Sequence, residues 1–248
     1  MAPRCVLLLG ATSAIAQAVA RPYAHAGARL ALVARNRQYL DVVANDLRVR
    51  GASALWTEVA DFLDLERHAA LVDRAQQALG GLDVALVAHG MLPVQAEALA
   101  DARLAQLCWQ TNFVSAASLL EAVGLRMEEA GHGTLGVLSS VAGDRGRAEN
   151  YVYGASKAAL SAYASGLGQR LIAKGVRVVT VKPGPVATPM TAGQASRPGL
   201  LADVDAVGQR IYRGLERGAP VVYAPFYWRL IMAVVQLLPT RLFERLLR

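Results

Sequence analysis

Two hydrophobic patterns alternate along the chain. Short runs apolar at nearly every position recur at "RCVLLL" (4–9), "ARLALVA" (28–34), "ALWTEVA" (54–60), "DVALVA" (83–88), "GTLGVLS" (133–139), "VRVVTV" (176–181) and "APVVYA" (219–224). Between them, near 14–26, 37–50, 64–79, 101–130, 151–173 and 203–217, lie amphipathic stretches of helical character. A continuous apolar run has no face to offer water, so it reads as a strand covered on both sides, and the amphipathic stretches read as its cover. The alternation predicts an α/β fold: a doubly wound parallel sheet of about seven strands, Rossmann type, with helices on both faces. In such a sheet a ligand belongs at the carboxyl ends of the strands.

The pattern changes in "APFYWRLIMAVVQLLPTRLFERLLR" (224–248), where residues 230–238 carry no charge and apolar and basic groups alternate after Pro239. The uncharged run is far short of the roughly 20 residues that span a bilayer. Such a segment either lies in a membrane interface or packs against the domain or a second subunit. The stretch "PMTAGQASRPG" (189–199) reads as a flexible loop near a site, and "MAPRCVLLLG" as the first core strand, not a secretion signal.

Composition narrows the classes. With 54% hydrophobic and 18% charged residues the chain must bury a large core, which excludes general disorder. The net charge of +7 is spread over scattered arginines without a basic run, so no nucleic-acid footprint is expected. Cys5 and Cys108 sit apart in apolar surroundings, as free thiols of a reducing, cytoplasmic compartment, with no metal-site spacing.

Candidate chemistry begins in "VLLLGATSAIAQAVA" (6–20). A dinucleotide-binding turn needs one glycine for the tight turn, one for approach to pyrophosphate and one for helix–strand packing. Gly10 keeps the first, whereas Ala14 and Ala16 replace the others with one methyl each. The helix N-terminus still offers free N–H groups to phosphate, with the Thr12 and Ser13 hydroxyls beside it. Alone, the stretch also suits a strand-to-helix turn without ligand. A second constellation lies in "LSSVAGDRGRAENYVYGASKAAL" (138–160). Tyr153 and Lys157 share a helix face four residues apart, so the ammonium is expected to lower the phenol pKa. The Ser140 hydroxyl could hold the same substrate oxygen, completing a set for proton exchange with an alcohol or carbonyl.

With these elements in order, the chain from 4 to about 224 resembles the short-chain dehydrogenase/reductase family. The resemblance rests on the turn at Gly10, Asn112 in "QTNFVS", Ser140 in "LSSVAG", "YGASK" at 153–157 and "KPGPVATPM" at 182–190. It implies that Tyr153 is the general acid of ketone reduction and the base in reverse. Lys157 would bind the nicotinamide ribose and tune Tyr153, Ser140 would orient the carbonyl, and Asn112 would hold a relay water. Cofactor contacts would come from Gly10, Thr12, Ser13, Ala14, Ile15, Asp61 and Phe62 at the adenosine and pyrophosphate end. Ala88, Gly90, Pro183, Gly184, Val186 and Thr188 would line the rest. The second strand ends "LVARNR", with Arg35 where an acidic residue would select a free ribose diol, so NADP(H) is favoured over NAD(H). "VAHG" (87–90) departs from the family's "NNAG", leaving Val87 and Ala88 to packing and His89 as a structural or ribose-adjacent residue.

This implies a catalytic domain over 1–224 and an appended tail over 225–248. The tail, "VAHG" and the basic "GDRGRAENYVYGASK" segment together resemble one subgroup, the reductases of decaprenylphosphoryl 2-keto-ribose. On that resemblance Arg145 and Arg147 could meet a substrate phosphate, and residues 226–248 could contact the inner face of the cell membrane. The expected activity is an NADPH-dependent carbonyl reductase acting on a small-molecule or lipid-linked ketone, as a homodimer or homotetramer built along helices 101–130 and 151–173. Two alternatives stay open: a soluble reductase of ketoacyl or polycyclic ketones, and a non-catalytic NADP-sensing protein.

Overall fold

The computed structural model describes residues 3–192 and 201–246; part of the loop read at 189–199 therefore lies outside the described residues. Seven strands form one parallel sheet in the order β3-β2-β1-β4-β5-β6-β7. They are β1 (Cys5–Leu9), β2 (Arg29–Ala34), β3 (Ala54–Val59), β4 (Val84–Val87), β5 (Gly133–Leu138), β6 (Val176–Pro183) and β7 (Val221–Ala224). Because strand side chains alternate, the apolar runs feed two cores. Val6 and Leu8 pack on one face under α1 (Ala14–His25), α2 (Arg37–Val49) and α8 (Val204–Arg217). Leu7 and Leu9 pack on the other under α3 (His68–Leu79), α6 (Ser115–Ala130) and α7 (Tyr151–Ile172). All four are fully buried, which is why no position in the run tolerates a polar residue. The direction of winding reverses between β1 and β4, which opens a crevice at the carboxyl ends of the strands.

The helix expected over 101–130 is broken, and two short helices precede the break. α4 (Gln95–Ala100) gives way to α5 (Ala102–Trp109) at Asp101, whose carboxylate accepts from the Arg103 N–H and caps the new helix. Residues Gln110–Val114 then form a π turn before α6. The bulge accommodates the fully buried Asn112, whose side chain is bonded to Met91 instead of facing water.

The tail forms α9 (Trp228–Leu237) and α10 (Thr240–Leu246), and among the described residues no helix is long and apolar enough to cross a membrane. α9 lays Trp228 and Met232 on Val141, Tyr223 and Val235. Its last carbonyls, which no helical N–H can reach, accept from Arg145: Val235 at 2.7 Å and Leu238 at 2.6 Å. The same guanidinium stacks on Phe243, 4.2 Å from the ring centre. Beneath it, the buried Asp144 carboxylate accepts from Tyr223 (2.8 Å) and Lys182, tying this loop to β6 and β7. The opposite face of α9 stays open, with Leu230, Val234 and Leu237 60% or more exposed.

Arg145→Met is expected to loosen α9 without unfolding the sheet. Hydrogen bonds from a charged donor contribute roughly 1.5 kcal/mol or more, so amide protection over 232–238 should fall about tenfold by hydrogen exchange. Unchanged protection would show that side-chain packing alone holds the helix.

Candidate active site

A cavity of about 490 Å³ runs along the carboxyl edge of the sheet. At its adenosine-sized end the chain turns from β1 into α1 at Gly10, whose φ is +94°. A Cβ there would lie 2.5 Å from the His89 backbone nitrogen, so the turn and the β4 loop can touch only because the residue is glycine. Ala14 lines the cavity as the first helical residue, and Ala16 is fully buried in the core, so their methyls fit. Ser13 makes no side-chain cap and the first turn of α1 has no acidic residue, leaving its N–H groups facing the cavity beside Thr12 and Ile15. These are the donors a pyrophosphate requires. Arg35, Asp61 and Phe62 line the same end, from the ends of β2 and β3. Arg35 forms no ion pair or side-chain hydrogen bond among the described residues. Arg37 is engaged with Asp41 and does not line the cavity.

The other end is built on β5, β6 and α7. Ser140, Tyr153 and Lys157 converge on one wall, while Ala88, Gly90, Pro183, Gly184, Val186 and Thr188 line the rest. α7 is clamped to β5 by Ser139, whose hydroxyl donates to the Lys157 carbonyl at 2.9 Å and pairs with Ser161 at 2.6 Å. Lys157 is 4% exposed, and its Nζ donates to the Leu138 carbonyl at 2.8 Å and lies 5.7 Å from the centre of the Tyr153 ring. Burial pushes its pKa down to about 8. The expected lowering of the phenol is overturned. Burial dominates and carries Tyr153 up to about 12, opposed only by the nearby Ser140 hydroxyl.

Asn112 lies behind this wall, outside the cavity. Its Oδ1 accepts from Met91 N–H (2.8 Å), and the two hydrogens of its Nδ2 go to the Met91 carbonyl (2.8 Å) and Ser156 Oγ (3.1 Å), with Cys108 Sγ 3.3 Å from the same nitrogen. Ser156 in turn donates to the Tyr153 carbonyl at 2.6 Å. The side chain thus joins the β4 loop to the turn of α7 that carries the phenol. Of the two loop arginines only Arg147 lines the cavity; Arg145 is committed to α9 and cannot meet a ligand there. The cavity also takes Trp228 from the tail, a contact no local pattern announced. A Cβ on Gly184 would overlap its indole at 2.0 Å, so the glycine admits the tail to the site.

His89 also lines the cavity. Ser115 Oγ gives its single proton to the Thr111 carbonyl (2.9 Å), so in the 2.7 Å contact with His89 the serine oxygen accepts and imidazole Nε2 carries the hydrogen. Nδ1 is then a bare acceptor, shut off from water and without a partner. The ring stacks on Phe62 at 4.6 Å. Burial, helped by Lys157, holds its pKa down to about 3. Below the ordinary histidine pKa of about 6.5 the unfolded chain takes up a proton that the folded chain refuses, so stability falls as pH drops. Between pH 7.5 and pH 5 this one group is expected to remove about 2 kcal/mol. Urea unfolding of His89→Asn at the two pH values should show a correspondingly smaller loss; an equal loss would mean that His89 is already protonated in the fold.

The model of the family described as short chain dehydrogenase matches residues 4–198. An uncharacterized oxidoreductase of Streptomyces coelicolor is 41% identical over 98% of this chain and 96% of its own length. The cis-4-hydroxycyclohexanecarboxylate dehydrogenase of Sinomonas cyclohexanicum is 34% identical over 83% of this chain and 80% of its own. Among solved structures, a short-chain type dehydrogenase/reductase from Mycobacterium marinum superposes with a TM-score of 0.82, covering 91% of this chain and 95% of that one at 23% identity.

Proposed function

Because the chain belongs to the short-chain dehydrogenase family, whose members are NAD(P)-dependent oxidoreductases, we propose that it is an NADPH-dependent carbonyl reductase acting on an amphiphilic ketone or the matching secondary alcohol. The observation that carries this reading is the convergence of Ser140, Tyr153 and Lys157 on one wall of a cavity that begins at the uncapped α1 N-terminus.

A nicotinamide cofactor, held along this cavity, would supply hydride chemistry at a carbonyl carbon. Ser140 donates to the carbonyl oxygen and fixes its position. Tyr153, a neutral phenol, transfers its proton to that oxygen as the C–O double bond becomes a single bond. Lys157 would bind ribose hydroxyls and stabilise the phenolate that is left, and Asn112 holds the β4 loop in place, its amide spent on Met91 and Ser156 with no hydrogen left for a relay water. Gly10, Thr12, Ser13, Ala14 and Ile15 receive the pyrophosphate, with Asp61 and Phe62 beside the adenine. Ala88, Gly90, Pro183, Gly184, Val186 and Thr188 border the rest of the cofactor. The unpaired Arg35 favours the 2′-phosphate of NADPH.

The catalytic unit is 1–224, and the tail 225–248 is an appended contact segment that brings the unit to a membrane surface on the cytoplasmic side. Its support is the open apolar face of α9 and the absence of any acidic residue between 225 and 243. A lipid-linked keto-sugar, as the subgroup resemblance implies, is one substrate such a placement would serve. Copies pair along α5, α6 and α7, where Trp109, Leu125 and Ile172 are exposed.

Tyr153→Phe is expected to lower ketone-dependent NADPH oxidation at least a hundredfold while leaving NADPH affinity within threefold by fluorescence titration. Arg35→Ala should weaken NADPH binding tenfold or more and NADH binding little. Equal turnover by wild type and Tyr153→Phe would remove the proposed acid, and NADPH binding without turnover by either would favour a binding protein. For the tail, flotation with anionic phosphatidylglycerol vesicles should carry the full chain and release it when Leu230 and Leu237 are both changed to Glu. Failure of the full chain to float with these vesicles would overturn the membrane contact and favour a soluble ketone reductase.

A further inference from the structure

Beyond Ser140 and Tyr153, the reactive end of the cavity is lined by Arg147, Asn150 and Trp228. Arg147 is half-buried and forms no ion pair or side-chain hydrogen bond among the described residues. The loop that carries it is not loose: Arg145, two residues earlier, is bonded to α9, and the Asn150 N–H donates to the Arg147 carbonyl at 3.2 Å. Asp61 is the one acidic residue among the described cavity-lining groups, and it follows β3. Arg147 follows β5, four strand spacings away in the sheet, roughly 19 Å at 4.8 Å per spacing. The guanidinium therefore has no carboxylate within reach on the cavity wall.

Two further donors lie in the same region. Trp228 is 9% exposed, and its indole N–H is buried without an acceptor. α7 starts at Tyr151 with no side-chain cap from Asn150 and no acidic residue in its first turn. One buried acceptor, Asn150 Oδ1, also lacks a partner. A half-buried guanidinium, an indole N–H without an acceptor among the described residues, and a 22-residue helix whose start has no acidic residue and only the neutral Gln95 Oε1 on its Val152 N–H all favour negative charge. The lone carboxamide oxygen asks for a hydroxyl.

We propose that Arg147 is a specificity-determining residue that binds an oxyanion on the substrate, a carboxylate or a phosphate set across the ring or chain from the reacting carbonyl. This rests on the reading of Tyr153 as the proton donor. Trp228 closes the wall behind the substrate, so the tail contributes to selection as well as to docking. The substrate class is thus narrowed from any amphiphilic ketone to an acidic one, with its acid group on the α7 side of the cavity.

The test uses the full chain, NADPH and three ketones: 4-oxocyclohexanecarboxylate, 4-oxocyclohexyl phosphate and the uncharged methyl 4-oxocyclohexanecarboxylate. At least one charged ketone should exceed the ester tenfold or more in kcat/KM, through KM. Arg147→Gln should bring that ratio to within threefold of one, and Arg147→Lys should restore part of it. The better charged ketone tells carboxylate from phosphate. A wild-type ratio near one, or a ratio that survives Arg147→Gln, overturns the proposal. Calorimetric titration of the same compounds into Tyr153→Phe with NADPH reads the anion site without turnover. Charge-selective binding there that Arg147→Gln abolishes upholds the site even where no ketone is reduced, and its absence overturns the site even where reduction proceeds.

Discussion

A lysine ammonium buried against the Leu138 carbonyl, with no carboxylate beside it, is the constraint around which the rest of this molecule is arranged. Taking such a charge out of water is costly, and here the cost shows as a pKa pressed down to about 8. An apolar residue of similar length would pack there at lower cost. What the ammonium gains is a fixed place, one helical turn from Tyr153, on the wall of the cavity. The supporting bonds follow from holding it there: Ser139 and Ser161 lock the Lys157 turn to β5, and Asn112 and Ser156 lock the Tyr153 turn to the β4 loop. The π turn in the helix that supplies Asn112 belongs to the same economy of position, because it lets a fully buried amide reach both backbone groups of Met91.

The loop after β5 divides its charges between scaffold and site. Asp144 and Arg145 serve the scaffold, one holding Lys182 and Tyr223 on β6 and β7, the other finishing α9. Arg147, two residues on, meets the cavity instead. One short segment therefore couples the seating of the tail to the shape of the reactive end, and Trp228 completes the coupling by entering the cavity over Gly184. The apolar face of α9 and the reactive end of the cavity are two sides of one helix.

Much of this was legible in the residues. The strands could be read because an all-apolar run has one stable environment, and the sheet, its winding and its crevice follow from that. Gly10, Tyr153 and Lys157 could be read because their requirements are local, a positive φ or an i, i+4 spacing. What escaped was set by contacts distant in the chain. Arg145 and Arg147 look alike in "GDRGRAEN", and only the position of α9, some 90 residues later, separates them. Trp228 lies in a tail whose apolar spacing suits a core face as well as a cavity wall. The break in the helix near 110 depends on Met91, which no periodicity in that stretch encodes.

The phenol is the instructive miss. Spacing alone places a cation near Tyr153 and argues for a lowered pKa, yet enclosure by apolar groups outweighs it and leaves the phenol near 12. On the proposed mechanism this suits reduction. A neutral phenol already carries the proton to be delivered, and the alkoxide forming on the substrate is more basic than the phenolate left behind, so transfer runs downhill. Alcohol oxidation makes the opposite demand, a phenolate at neutral pH, which this enclosure disfavours until more positive charge is brought to the site.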